Sequence, residues 1–254
     1  ISNIVNDLNN TILGGRLYKI AQPESDELLL TVKTSSGQYR VVLSANASLP
    51  LAYITDDNKP SPATAPNFVM LLRKHINNGR IISVTQPSLE RIIDIEIEHL
   101  DELGDLCKRH LITEFMGKHS NIILCDDDNN ILDSIKHVSA QISSVREVLP
   151  GRKYFIPNTA NKHNPLDTDY ERFSSSVLVC PKPLSKALCQ TYTGISTCIA
   201  EEVCFRSGID SNKPANCLSD EESRLIYNAF DGIISDVKNK TYSPNIVYDN
   251  GNPS

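Results

Sequence analysis

The sequence contains no apolar run near the roughly 18 residues that a membrane-spanning helix needs, so no bilayer crossing is expected of this segment. It also lacks a Gly-rich phosphate loop, a Gly-x-Ser-x-Gly elbow and a His-Glu-x-x-His pair. With those signatures missing, a catalytic role is not expected, and neither is a cofactor. Seven cysteines are present (Cys107, Cys125, Cys180, Cys189, Cys198, Cys204 and Cys217), but none lie at C-x-x-C spacing. A zinc site needs paired ligands at short intervals, so no metal site is expected and the cysteines read as reduced, structural residues of a cytosolic protein. Cys189 and Cys198 fall in predicted helices, where buried thiols are common. Positive charge is not in excess either. The formal charge of −6 excludes a uniformly basic nucleic-acid clamp, so any RNA contact must use local patches. The first residue is Ile1 rather than Met, so the natural start is expected to be missing and no targeting signal can be judged.

What remains is ordinary globular material. The 254 residues, 40% hydrophobic and 22% charged, can bury more than one core. Ile4, Val5, Leu8 and Ile12 recur at helical spacing up to Gly14-Gly15. Short β-rich runs follow over 17–21, 27–33, 39–44 and 51–54, parted by turn residues, as in an antiparallel meander. A proline-rich loop leads to Pro66 and a helix carrying Phe68, Leu71, Leu72 and Ile76, with Arg73 and Lys74 free to meet solvent or phosphate. A second β group covers 80–85, 91–97, 107–115, 122–125 and 131–137. Within it, Ile93-Asp94-Ile95-Glu96-Ile97 alternates as a strand with one wet face does. Residues 145–154 read as a closing segment.

These runs predict an α+β domain over 1–160, built from two antiparallel sheets with flanking helices. A linker is expected over 161–175, rich in Asn, Asp, Thr, Pro and Ser, and an all-α domain over 176–245. Its last helix opens on Ser219-Asp220-Glu221-Glu222, a capping box with acids in the first turn. Residues 246–254 read as the start of a further segment.

Charge is unevenly spread. Asp94, Glu96, Glu98, Asp101, Glu102 and Asp105 form an acidic block, as do Asp126–Asp128, whereas basic residues gather at Arg73-Lys74, Arg80, Arg91 and Lys118. The segment Glu114-Phe115-Met116-Gly117-Lys118-His119-Ser120-Asn121-Ile122-Ile123-Leu124 reads as strand, glycine-led turn, strand. Its polar residues fit two roles. They are the water-facing tip of a hairpin, the better bet on pattern alone, or a rigid loop offering a cation, an imidazole, a hydroxyl and an amide to a polyanion. Gly194-Ile195-Ser196 between two helices resembles a helix-hairpin-helix, whose turn offers backbone N–H groups to a phosphate. Ser196 stands where that motif has its second glycine, and a plain helical hairpin is the equal alternative.

Gly117-Lys118-His119-Ser120-Asn121-Ile122 between strands resembles a hallmark of the NFACT family, whose members are described both as fibronectin-binding proteins and as ribosome-quality-control factors. Gly14-Gly15-Arg16, Gln22-Pro23-Glu24, Leu43-Ser44-Ala45-Asn46, Phe68 to Lys74, Asn164-Pro165 and Asp249–Pro253 match in the same order. The similarity spans essentially the whole chain. It implies an Asp-Gly before Ile1, cut away here, and a coiled coil and C-terminal RNA-binding domain beyond this segment. Glu90-Arg91 aligns with a family Asp-Arg pair implicated in engaging tRNA. Arginine offers a planar fork suited to phosphate or guanine, while Glu in place of Asp lengthens the carboxylate's reach. The family fold is similar to the sheet-plus-helical plan of formamidopyrimidine-type DNA glycosylases, whose nucleophile is an N-terminal proline absent near this start.

The resemblance therefore implies a non-catalytic, cytoplasmic RNA-binding factor. Such a factor engages tRNA and the large ribosomal subunit carrying a stalled peptidyl-tRNA, and promotes C-terminal alanine tailing. The alternatives are a fibronectin-binding surface adhesin and, more weakly, a glycosylase relative.

Overall fold

The computed structural model describes residues 1–101, 103–156 and 161–253. Glu102 of the acidic block and positions 157–160 lie outside the described residues. The chain divides into two compact units, residues 1–159 and 160–254.

The first unit opens with α1 (Ser2–Ile12), which turns Leu8 and Ile12 inward. A four-strand meander follows, β1 (Arg16–Glu24), β2 (Glu27–Lys33), β3 (Gln38–Ser44) and β4 (Leu51–Thr55). After α2 (Asn67–Ile76) comes the second group, β5 (Arg80–Thr85), β6 (Ile92–Leu100), β7 (Leu106–Glu114), β8 (Asn121–Asp126) and β9 (Ile131–Ser134). Both groups are antiparallel, as the short connections between their successive strands require. The pair Arg16↔Arg80 joins them into one nine-stranded order, β4-β3-β2-β1-β5-β6-β7-β8-β9.

That seam explains Gly14-Gly15. The Gly14 N–H donates to Ile81 O at 2.9 Å, the Ile81 N–H to Gly15 O at 2.9 Å, and the Leu17 N–H to Gly79 O at 2.9 Å. A Cβ on Gly15 would stand 2.6 Å from Val32 Cγ1, and one on Gly79 would stand 2.6 Å from Ile97 Cγ2 and 2.9 Å from two backbone oxygens. Only glycine fits at either position, where α1 and α2 turn sharply into β1 and β5 against their neighbours. Arg73 was expected in solvent or on a phosphate. It is instead spent on the fold, donating from Nε and Nη2 to Ile20 O at 3.1 and 2.8 Å.

The main core gathers α1, α2 and the inner faces of both strand groups, including Leu30, Leu43, Leu72, Ile95 and Leu124. A smaller core lies on another patch of the sheet, where Ile92, Ile112, Ile123, Cys125 and Ile131 meet Val148 and Tyr154 of the closing segment. Glu114 is buried in this unit, with half-buried Arg146 and Tyr154 beside it. The Arg146 guanidinium donates to Glu114 Oε2, and the Tyr154 hydroxyl donates to Glu114 Oε1 at 2.9 Å.

The second unit holds α3 (Tyr170–Ser176), α4 (Leu184–Thr191), α5 (Thr197–Ser207) and α6 (Asp220–Asn239), followed by a two-stranded ladder, β10 (Tyr248–Asp249) and β11 (Asn252–Pro253). The capping box forms as its sequence dictates: Ser219 Oγ accepts from the Glu222 N–H, and Glu222 Oε2 from the Ser219 N–H. The described part of the expected linker, 161–175, differs from expectation. Asn164 caps a 3-10 turn over Pro165–Asp167, and α3 places Phe173 at the centre of this unit's core against Tyr192 and Phe230. All seven cysteines are free. Cys189 is half-buried and Cys198 exposed, so the buried helical thiol is Cys204, pushed up to about 11 by burial, as burial pushes Cys125 up to about 12.

Candidate nucleic-acid interface

The β6–β7–β8 register brings two separate sequence candidates to one end of the sheet. Ile92 pairs with Glu114, and Glu114 with Asn121. One step beyond, the Phe115 N–H donates to Arg91 O at 2.8 Å. The Arg91 backbone therefore adjoins the turn that carries Lys118 and His119.

That turn is a 3-10 helix over Gly117–His119. Gly117 has φ +58, which favours glycine, and a Cβ there would lie 3.7 Å from Ala47 O. Lys118 and His119 are exposed, whereas Ser120 and Asn121 are only 1% and 2% exposed. Ser120 Oγ accepts from the Met116 N–H at 2.8 Å and closes the turn. Asn121 donates to Lys136 O at 2.8 Å and accepts from the Lys136 N–H at 3.1 Å. Lys136 in turn sends its Nζ to Ala45 O. The Ser44–Asn46 and Gly117–Asn121 stretches thus meet, and Ser120 and Asn121 act as the frame rather than as contact residues.

The other approach is built from a tight loop. Pro87–Leu89 forms a 3-10 turn in which Ser88 and Leu89 adopt φ +45 and φ +57. Two successive left-handed non-glycine residues cost about 1–3 kcal/mol each and persist only when the surroundings impose them. Here the Glu90 N–H donates to Pro87 O at 2.7 Å, and Gln86 Nε2 donates to Glu90 O at 2.7 Å. Gln86, which sequence reasoning passed over, fixes the chain at the residue before Arg91. Glu90 is half-buried and Arg91 exposed. Among the described residues, none hydrogen-bonds or ion-pairs with the side chains of Arg91, Lys118 or His119. Three unpartnered donor groups on a rigid scaffold can receive a phosphodiester.

Farther along β6 and β7, His110 Nδ1 lies 3.0 Å from Asp94 Oδ2, and that bond holds the imidazole above its ordinary range. Glu96, His110 and Asp127 bring ligand-type atoms within 4.8 Å of one another. The Lys108 ammonium already sits 2.8 Å from Glu96 and supplies a cation there.

In the second unit, Gly194 has φ +77 and leads into α5. Ser196 caps that helix, accepting from the Ile199 N–H at 3.3 Å. Ile195 is buried in the unit's core, so only Gly194 and Ser196 of that trio face outward.

This architecture, an antiparallel sheet with flanking helices followed by a small helical unit, defines an N-terminal region of a specific class. The model of the NFACT N-terminal and middle domains matches residues 1–254, and the chain belongs to the NFACT family. It is 33% identical to the Rqc2 homolog RqcH of Bacillus subtilis over 98% of this chain and 42% of that protein. It is 22% identical to the human ribosome quality control complex subunit NEMF over 82% of this chain and 18% of that protein. The N-terminal structure of the fibronectin/fibrinogen-binding protein from Streptococcus suis superposes with a TM-score of 0.76 at 30% identity, covering 90% of this chain and 82% of that one. The chain thus spans less than half the length of these two curated relatives. In the described residues no helix is long and apolar enough to cross a membrane.

Proposed function

We propose that this chain is the tRNA-engaging part of a ribosome-quality-control factor. The observation that carries the reading is the convergence of exposed, unpartnered Arg91, Lys118 and His119 at one end of β6, β7 and β8. The names of the B. subtilis and human relatives support the ribosomal setting. The whole protein would bind a large ribosomal subunit carrying peptidyl-tRNA, recruit a charged tRNA, and promote alanine tailing of the stalled peptide. Its place would be the cytoplasm, on the ribosome. It would be non-catalytic, with peptide-bond chemistry left to the ribosome. Arg91 would make the principal contact, with Lys118 and His119 beside it. The outward Gly194-Ser196 turn would act as a helix-hairpin-helix phosphate contact.

The test is tRNA binding by the full-length protein, parent against Arg91→Ala, across a salt series. Loss of one phosphate contact lowers the salt slope by about one unit, whereas loss of a base contact changes preference among tRNAs. Equal binding and equal slopes for parent and variant would remove Arg91 from the interface.

A second reading, a fibronectin-binding adhesin, is favoured by the S. suis likeness. Saturable fibronectin binding by the full-length protein, without tRNA binding, would select it.

A further inference from the structure

Three cations stand in register where the two meanders join. Arg16 on β1 pairs with Lys33 on β2 and with Arg80 on β5. Residues directly opposite in an antiparallel pair share a face. All three are exposed, while their strand neighbours Leu17, Val32 and Ile81 are buried on the other side. Adjacent strands lie about 4.8 Å apart, so the row covers roughly 10 Å. Glu98, opposite Arg80 on β6, ends it.

Like charges placed directly opposite one another are destabilising. In a chain with a formal charge of −6, such a row is not a matter of general composition. Among the described residues, no carboxylate ion-pairs with Arg16, Lys33 or Arg80. The fold also leaves them open. Arg16 Nη1 donates to Asn78 O at 3.1 Å, which fixes that guanidinium and leaves its other donors unspent. A Cβ built on Gly14 would lie 3.8 Å from Arg80 Nη2, so the second guanidinium runs beside bare backbone. Tyr18, 54% exposed, adjoins the row, with the Lys33 ammonium 3.3 Å from its ring centroid.

Unpaired cations with an aromatic ring among them suit a nucleic-acid strand. An RNA backbone carries a negative charge at every nucleotide and meets the three cations in succession. The two guanidinium forks fit phosphate oxygens, and a tyrosine ring accepts a stacked base of any sequence. Arg91 lies about 20–25 Å from Glu98 along the extended chain, so this surface is separate from the Arg91 and Lys118 end.

We propose that Lys33, Arg16 and Arg80, with Tyr18, form a second RNA-contact surface that takes the phosphodiester backbone of an RNA segment. The assignment rests on the RNA-binding part of the reading above, but not on Arg91.

The experiment uses the full-length protein in two arms, free tRNA and purified large ribosomal subunits carrying peptidyl-tRNA, each across a salt series. The parent, Arg91→Ala and a Lys33→Gln/Arg80→Gln double variant are compared. Neither Lys33 nor Arg80 makes a side-chain hydrogen bond among the described residues, so the double variant keeps the fold, which its urea midpoint verifies. The expected result is a salt slope shallower by about 1.5 units, with binding about tenfold weaker at physiological salt. A drop in the tRNA arm assigns the row to tRNA, and a drop confined to the subunits assigns it to ribosomal RNA. A photo-crosslinking amino acid in place of Tyr18 should join RNA in the same arm. Parent-like slopes in both arms overturn the inference, as does a crosslink from position 18 to protein alone. If Arg91→Ala binds like the parent while the double variant does not, the Arg91 reading falls and this row stands. A parent that binds RNA in neither arm removes both.

Discussion

Asn121 grips the Lys136 peptide from both sides, donating to its carbonyl at 2.8 Å and accepting from its N–H at 3.1 Å. The asparagine is also joined to its own strand, accepting from the Ile122 N–H at 2.9 Å. Lys136 then reaches Ala45 O, so one amide side chain ties the Gly117–His119 turn to the loop after β3.

Asn121→Ala should therefore destabilise the protein by about 2–3 kcal/mol, because it strands a partly buried N–H and C=O. Asn121→Asp keeps the acceptor and loses the donor, and should fall between the two. Urea denaturation of the three proteins ranks them, and equal midpoints would show that the frame lies elsewhere.

Glycine at the seam is equally exposed to test. Gly79→Ala would force a Cβ to 2.9 Å from Glu98 O and Ile76 O, contacts that backbone cannot relieve cheaply. A loss of about 1–3 kcal/mol is expected, read as a lower unfolding midpoint. Gly232, exposed inside α6 where a Cβ meets nothing within 4 Å, is the control and should instead gain about 0.5–1 kcal/mol on the same change.

The Glu114 carboxylate is fully enclosed, and Arg146 is its counter-ion. Arg146→Ala leaves that charge buried with Tyr154 alone and should cost about 3–5 kcal/mol. Adding Glu114→Gln to the variant removes the charge and should recover part of the loss. A double-mutant cycle in denaturant measures the coupling, and additive effects would deny it.

A pH dependence follows from His110. Hydrogen bonding to Asp94 raises the imidazole above its ordinary value of 6.5, so the folded state binds the proton more tightly than the unfolded chain. The resulting stability is fully present below that unfolded value and is lost as pH rises through the higher folded value. Thermal unfolding of the parent and Asp94→Asn should differ most near pH 6 and converge by about pH 9. A constant difference across that range would exclude the linkage.

Much of this fold was legible because its signals are local. Ile93–Ile97 alternates, Ser219–Glu222 spells a cap, and Gly14-Gly15 ends a helix. The Phe173 helix was not legible, since seven residues with one deeply buried aromatic give no helical period. Arg73 and Arg146 could not be told from solvent-facing arginines, because their partners lie 53 and 32 residues away. At the candidate interface, Arg91 and Lys118 were singled out separately, and only the strand register brings them together. Ser120 and Asn121 were chosen for hydrogen-bonding chemistry that they do possess, but it is directed inward. The left-handed Ser88-Leu89 pair left no sequence mark at all, having no glycine to announce it.

The Arg16↔Arg80 seam also bears on how the first unit acquires its shape. Apart from that pairing, each strand's neighbour in the nine-strand order is also the next strand in sequence, so each hairpin closes a short loop and can form early. Joining β1 to β5 must instead close a loop of about sixty residues, the largest entropic step in the sheet. Two meanders would then assemble independently and meet last at Gly15 and Gly79, making that junction the rate-limiting event of refolding.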